Sequence, residues 1–247
     1  MEILLAAICG AGIGLILGLV GAGGSMIAVP MLIYLFNFSP VQATTASLLI
    51  VFIGAASGVT SKFKSGDVLI RDGLVIWFFG LTTNFAGAYF LPKLPETVIL
   101  TGFSLILISA GASMLLKPVS QSQERRMSIL ALVLLSLLIG AMTGLFGIGG
   151  GFVAIPILVL FYNVAPAKAA GTSLFIIMIN TLTGFFAHYR HWDEVPWSVP
   201  ATIAMAALLV SRFAAQQSRR FEAKVLKNWF AATVFAIAVF TLLETWT

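Results

Sequence analysis

A chain of 247 residues that is 60% hydrophobic and only 9% charged, with a mean hydropathy of +1.04, has too few polar side chains to cover a water-soluble globule of its size. It belongs in a bilayer. The net charge of +5 does not imply nucleic acid, because basic residues in a membrane protein mark cytoplasmic loops, and the single cysteine, Cys9, excludes an intrachain disulfide and a four-cysteine metal site.

The first apolar stretch, Ile3–Val20, opens with Glu2 instead of the basic start of a signal peptide, and its equivalent recurs mid-chain, so it is read as part of the fold. A glycine-rich phrase, GLVGAGGSMIAVP from Gly18 to Pro30, leads into the short apolar run Ser25–Phe36. Three longer stretches follow, Val41–Ser61, Gly73–Leu91 and Thr97–Leu116, and then a basic linker. The series begins again with Ser128–Phe146, a second phrase GLFGIGGGFVAIP from Gly144 to Pro156, the short run Gly151–Tyr162, and then Ala167–Ala187, Pro196–Ala215 and Val225–Leu243. Most of these stretches have the roughly 20 residues a helix needs to cross hydrocarbon, whereas the two short runs, about 18 Å as helices, cannot cross alone. The gaps between them are too small for a soluble domain. No Walker-type phosphate loop is present, so any pumping must use gradients or a partner.

A shift that lays Gly144 on Gly18 also pairs Gly14 with Gly140, Asn37 with Asn163, Pro40 with Pro166, Ser47 with Ser173, Gly58 with Gly184 and Asp67 with Asp193. The expected fold is therefore an all-α integral membrane protein of two repeats with about five membrane helical segments each, the second segment of each short and broken. The repeats occupy 1–117 and 128–247, joined by the linker 118–127 into one transporter domain. If each repeat crosses an odd number of times, Lys62, Lys64, Arg71, Lys117, Arg125, Arg126, Lys168, Arg212, Arg219, Arg220, Lys224 and Lys227 fall on one side and only Lys93 and Arg190 on the other. An even number of crossings mixes them evenly. The positive-inside rule thus makes the second repeat inverted, with both termini outside and the linker cytoplasmic.

Within hydrocarbon every backbone N–H and C=O needs a partner, so glycines before a short proline-containing helix suit a break that lines a cavity. The helix restarting there points N–H groups and its positive dipole end inward, which favours an anion. Gly21, Gly23, Gly24 and Ser25 form the first candidate nest, and Gly147, Gly149, Gly150 and Gly151 the second, facing it across a pseudo-twofold axis. Thr44, Thr45, Ser47, Asn84, Thr172, Ser173 and Asn180 supply side chains that converge on the breaks as a polar lining. Close helix packing through small residues is the rival account of the glycines, and interhelical hydrogen bonding that of the hydroxyls. No acid, lysine or histidine falls at the centre of a span, which argues against a conventional proton relay; Na⁺ held by backbone carbonyls stays open. His188, His191, Asp193 and Glu194 resemble a metal site by composition, but they align with Lys62–Val68, which has no histidine, and read as a solvated turn. No metal or other cofactor is expected. Arg212, near a helix end, either contributes charge to an anion path or, the favoured reading, snorkels to the cytoplasmic surface.

Both glycine-proline phrases, the patterns Pro40/Ala43/Ser47 and Pro166/Ala169/Ser173, and the paired halves resemble the sulfite exporter TauE/SafE family, also called the toluene sulfonate uptake permease family. The resemblance covers essentially the whole chain. It implies a secondary transporter of the bacterial or archaeal inner membrane for a small anionic sulfur compound such as sulfite, a sulfonate or sulfoacetate. Val210 and Ala214 stand where such proteins often have glycine. A passive anion channel is the alternative, and an enzyme is disfavoured because no nucleophile-base pair, acid pair or metal cluster lies in the spans. Export is the expected direction, since an anion leaving an inside-negative cell gains about 2.3 kcal/mol per 100 mV. The expected partners are the sulfur anion and the lipid bilayer, with a homo-oligomer left open.

Overall fold

The computed structural model describes residues 2–21, 24–116, 128–217 and 223–246, and among them the chain is entirely helical. The helices are α1 (Glu2–Val20), α2 (Gly24–Phe36), α3 (Pro40–Lys64), α4 (Ile70–Phe90), α5 (Glu96–Leu116), α6 (Ile129–Phe146), α7 (Gly151–Tyr162), α8 (Pro166–Ala187), α9 (Ser198–Gln217) and α10 (Ala223–Trp246). Two 3₁₀ turns, Leu91–Lys93 and Tyr189–Glu194, follow α4 and α8. Each expected apolar stretch is a helix. Among the described residues six helices, α1, α3, α4, α6, α8 and α9, are long and apolar enough to cross a membrane. The chain is an all-α multi-pass membrane protein. Its outer surface fits that setting, with Ile3, Leu4, Phe78, Phe85, Leu105, Leu130, Leu134 and Phe213 largely exposed.

Local chemistry sets the helix ends. Ser39 opens α3 with a capping box, its Oγ accepting from Gln42 N at 3.3 Å while Gln42 Oε1 accepts from Ser39 N at 3.0 Å, and Pro40 occupies a first-turn position where no N–H is needed. Ser128 caps α6 through Ala131 N at 3.2 Å. The two short helices end alike, on left-handed asparagines: Asn37 has φ 55° and Asn163 φ 52°. In each case the next N–H reaches back to close the last turn, Phe38 N to Leu32 O at 3.1 Å and Val164 N to Leu158 O at 3.0 Å. Asparagine tolerates this conformation without glycine's loss of helix propensity.

The packing pairs up under the same shift that aligns the two sequences. α1 lies on α9 as α6 lies on α4; α3 lies on α9 as α8 lies on α4; α2 packs on α3 and α7 on α8; α5 and α10 pack on each other. Contacts ascend together along α1 and α9, where Gly10 meets Ile203, Gly14 meets Ala207 and Gly18 meets Ser211. The same holds along α4 and α6, where Gly80 meets Ser136 and Gly87 meets Leu145. A Cβ on Gly14 would stand 2.7 Å from Ala207 O and one on Gly80 2.8 Å from Ser136 O, so these helices approach as closely as backbones can. α3 and α8 instead pass one another in opposite directions. Gly58 sits against Leu174 and Gly184 against Leu48, and each glycine-leucine contact is the other's counterpart under the shift.

Candidate functional site

Each glycine phrase ends one helix and starts another. Gly21 has φ 78° and Gly147 φ 67°, conformations an L side chain rarely adopts, and each closes the preceding helix by donating its N–H, to Leu17 O at 2.9 Å and to Thr143 O at 3.0 Å. Beyond Ile148 the backbone is left-handed again at Gly149 and Gly150, and α7 begins with Gly150 O accepting from Val153 N at 3.1 Å. The N–H groups of the opening turn before Val153 have no acceptor within the helix. Gly21, Gly24, Gly147, Gly149, Gly150 and Gly151 are all buried.

Two serines tie each break to the opposite half. Ser173 Oγ on α8 donates to Gly21 O at 2.7 Å, and Ser47 Oγ on α3, which donates to Thr44 O of its own helix at 2.8 Å, lies 3.3 Å from Gly147 O. Ser173 Oγ also lies 2.8 Å from Gly151 O, so carbonyls of both breaks meet on one hydroxyl. The buried carbonyl of Gly21 is thereby given a donor from the opposite half. The hydrogens of both serines are thus on carbonyls in this structure.

The glycines are also required for packing. A Cβ on Gly21 would stand 2.6 Å from Ala170 O, one on Gly24 2.5 Å from Ile13 O, one on Gly149 2.8 Å from Thr181 Cγ2, and one on Gly150 3.0 Å from Ile139 Cβ. One on Gly147 would collide with Ser47 Oγ and one on Gly151 with Ile177. The rival account by close packing therefore holds at every described break glycine. Gly23 and the side chain of Ser25 lie outside the described residues.

The remaining candidates divide. Asn84 on α4 and Asn180 on α8 come together: Asn84 Nδ2 donates to Asn180 O at 3.1 Å and to Thr183 Oγ1 at 3.3 Å, and Asn180 Nδ2 donates to Ile176 O at 3.0 Å. Both Oδ1 atoms are buried without a partner. Thr44 touches Gly147, and its Oγ1 is likewise buried and unpartnered. Thr45 and Thr172 do not join them. Thr45 Oγ1 donates to Val41 O of its own helix at 2.8 Å, while Thr172 Oγ1 donates to Lys168 O at 2.7 Å and accepts from Leu69 N at 2.9 Å, capping the start of α4. Arg212 is exposed.

Several polar residues of this region carry no sequence signal of their own. Thr143 and Thr181 are buried beside the second break, each donating to a carbonyl of its own helix. Ser211 Oγ on α9 donates to Gly54 O at 2.8 Å. Their place on the faces of Gly140 and Gly147, of Asn180, and of the α1-facing side of α9 is the only hint the chain offers. The turn after α8 needs a larger correction. His191 and Glu194 form an exposed pair at 3.0 Å, but His188, expected in a solvated turn, is 1% exposed, with Nδ1 2.8 Å from Gly184 O. Stacking of Trp192 on Phe185, with ring centroids 4.5 Å apart, folds the turn over it.

A family model described as sulfite exporter TauE/SafE matches residues 6–241. A probable membrane transporter protein of Xylella fastidiosa (strain 9a5c) is 26% identical over 242 residues, covering 95% of this chain and 92% of that one. The probable membrane transporter protein YunE of Bacillus subtilis is 24% identical, covering 87% and 89%, and the probable membrane transporter protein MJ0441 of Methanocaldococcus jannaschii is 23% identical, covering 94% and 92%.

Proposed function

The chain belongs to the sulfite exporter TauE/SafE family of membrane transporters, which are not enzymes, and from that premise we propose that it carries a small sulfur-containing anion, of the sulfite, sulfonate or sulfoacetate type, out of the cell across the inner membrane. The anion is held where the two glycine breaks meet, by N–H groups at the starts of α2 and α7 and by the dipoles of those helices. The observation that carries this reading is the position of Ser173 Oγ, 2.7 Å from Gly21 O and 2.8 Å from Gly151 O, where carbonyls of both breaks meet at one hydroxyl. Burial of every described break glycine favours a carrier caught closed over a passive channel.

The proposal includes an inverted arrangement of the two halves, with both termini outside and the linker 118–127 inside. It is supported by the sorting of basic residues and by the opposed directions of the equivalent helices α3 and α8. With Cys9 replaced by serine, single cysteines at Ser122 and Thr247 should react with an impermeant thiol reagent from opposite sides of the membrane; reaction from one side overturns the topology. For the transported species, purified protein is screened for thermal stabilisation by sulfite, thiosulfate, sulfate, taurine and sulfoacetate. Saturable counter-exchange of the stabilising anion in proteoliposomes is then expected. Flux that neither saturates nor exchanges overturns the carrier in favour of a channel.

A further inference from the structure

Of the chain's fourteen lysines and arginines, the proposed topology leaves two on the outer face, Lys93 and Arg190. Short outer loops select against such charges, so two that persist there call for a use. The fold brings them to the same end of one helix pair. Lys93 closes the 3₁₀ turn after α4, and Arg190 lies in the 3₁₀ turn after α8. α4 and α8 run side by side in the same direction: Leu69 N meets Thr172 Oγ1 where both helices start, and Asn84 Nδ2 meets Asn180 O further along. At the far end Gly87 lies against Gly144, and His188 meets the backbone of that same residue. Tyr89 and Arg190 each follow two residues later.

Each cation rests on an exposed tyrosine. Lys93 Nζ lies 3.6 Å from the centroid of the Tyr89 ring and 5.5 Å from that of Phe90. Arg190 Nε donates to Tyr189 Oη at 3.1 Å, with its guanidinium carbon 5.7 Å from the Tyr189 ring centroid. Tyr89 also acts electrostatically on Arg190, so both cations are coupled to that one residue. Arg190 uses its Nε in this contact, which leaves the terminal N–H groups of the fork for another acceptor. Glu194 of the same turn pairs with His191 at 3.0 Å instead. Leading up to the cations, the exposed face of α4 is apolar. Phe78, Phe85 and Tyr89, spaced by seven and then four residues, form one stripe that ends at Lys93, and Phe186 stands exposed at the end of α8. A soluble oxyanion has nothing to offer such a stripe, whereas a phospholipid carries a phosphodiester above apolar chains and matches both parts.

We propose that the ends of α4 and α8 hold one anionic phospholipid, its phosphodiester on Lys93 and Arg190 and its acyl chains along the face of Phe78, Phe85 and Tyr89. The two positive charges favour a headgroup of net negative charge over a zwitterionic one, whose own ammonium would have to sit beside them. The lipid bridges the end of α4 to the turn that covers His188, and so ties together the two helices that carry Asn84 and Asn180 beside the second break. The inference uses the proposed topology only to say which leaflet supplies the lipid, and it is independent of what the protein transports.

Native mass spectrometry of the purified protein, released from micelles holding equal amounts of phosphatidylglycerol and phosphatidylcholine, should show phosphatidylglycerol retained in preference. Lys93→Gln and Arg190→Gln should each weaken its binding about fivefold, and the two together by roughly 25-fold, while Lys93→Arg should keep it. Lys64→Gln with Arg71→Gln removes two exposed cations from the other end of the bundle and should leave the binding unchanged. An equal loss in that control pair makes the retention a general charge effect and overturns the site, as does equal retention of phosphatidylcholine. Inorganic phosphate and sulfoacetate are added as competitors; displacement of the lipid by either would mean that the cations take a soluble oxyanion, and the phospholipid is overturned. None of these measurements requires transport, so a failure of the sulfur-anion reading leaves the outcome intact.

Discussion

The first and second glycine breaks share a backbone plan but not a lining. Gly21 and Gly147 have the same left-handed turn, Asn37 and Asn163 the same helix ending, and a serine crosses from the opposite half to each. Around the second break stand Thr44, Asn84, Thr143, Asn180, Thr181 and His188, all buried. Their equivalents around the first are Ala170, Val210, Leu17, Gly54, Ala55 and Lys62. Symmetry was kept where the backbone needs it, and polar chemistry was gathered on one side. The second break is therefore the place where selectivity is expected, while the first serves mainly to hold the frame.

The sharpest way to break the comparison is at the shared turns. Gly21→Ala combines a left-handed residue, about 1–2 kcal/mol, with overpacking of Ala170, typically about 1–3 kcal/mol. Gly66 has a similar φ, 72°, with open space around it, so Gly66→Ala should cost only the first part. Thermal unfolding in detergent should rank wild type, Gly66→Ala and Gly21→Ala in that order; equal losses would mean that the close approach at the break is not what needs glycine. Next, Asn84→Leu should cut transport at least about tenfold, as expected when a polar contact used in the cycle is lost, whereas Val210→Leu at the equivalent place should be nearly silent. Similar losses at both would erase the claimed asymmetry. A smaller effect concerns the serines. Ser173 Oγ lies 2.7 and 2.8 Å from carbonyls of both breaks, whereas Ser47 donates within its own helix and lies 3.3 Å from Gly147 O, so Ser173→Ala should destabilise by about 1–2 kcal/mol and Ser47→Ala by less, in the same unfolding assay. The smallest change is expected for Thr172→Val, which removes the cap at Leu69 N, at about 1 kcal/mol and with no effect on substrate affinity.

Much of this was legible in the residues. Apolar stretches long enough to cross, two short runs behind glycines, and the sequence shift located every helix, because burial in lipid leaves little choice but helix. Ser47 and Ser173 were legible as a pair but not their targets, since the hydroxyls bond carbonyls about 100 to 150 residues away and no local pattern encodes that. Thr45 and Thr172 were misplaced because neighbours in sequence on a helix point to different sides, and one of them was needed to cap α4. His188 was misread because its burial depends on Trp192 folding back onto Phe185, with Trp192 Nε1 donating to Phe185 O at 3.0 Å. Alignment with Lys62 in fact held the clue, for Lys62 too is buried, at 2% exposure.

The reciprocal contact of α3 with α8 has a consequence for assembly. When Gly58 meets Leu174 and Gly184 meets Leu48, the surface that one half offers is the surface it receives, which is how two identical subunits pair about a twofold axis. If the two halves are inverted repeats, as proposed, the information for docking resides in the halves themselves. Residues 1–117 and 128–247 made as two separate polypeptides should find each other in the membrane, because what they recognise is one another.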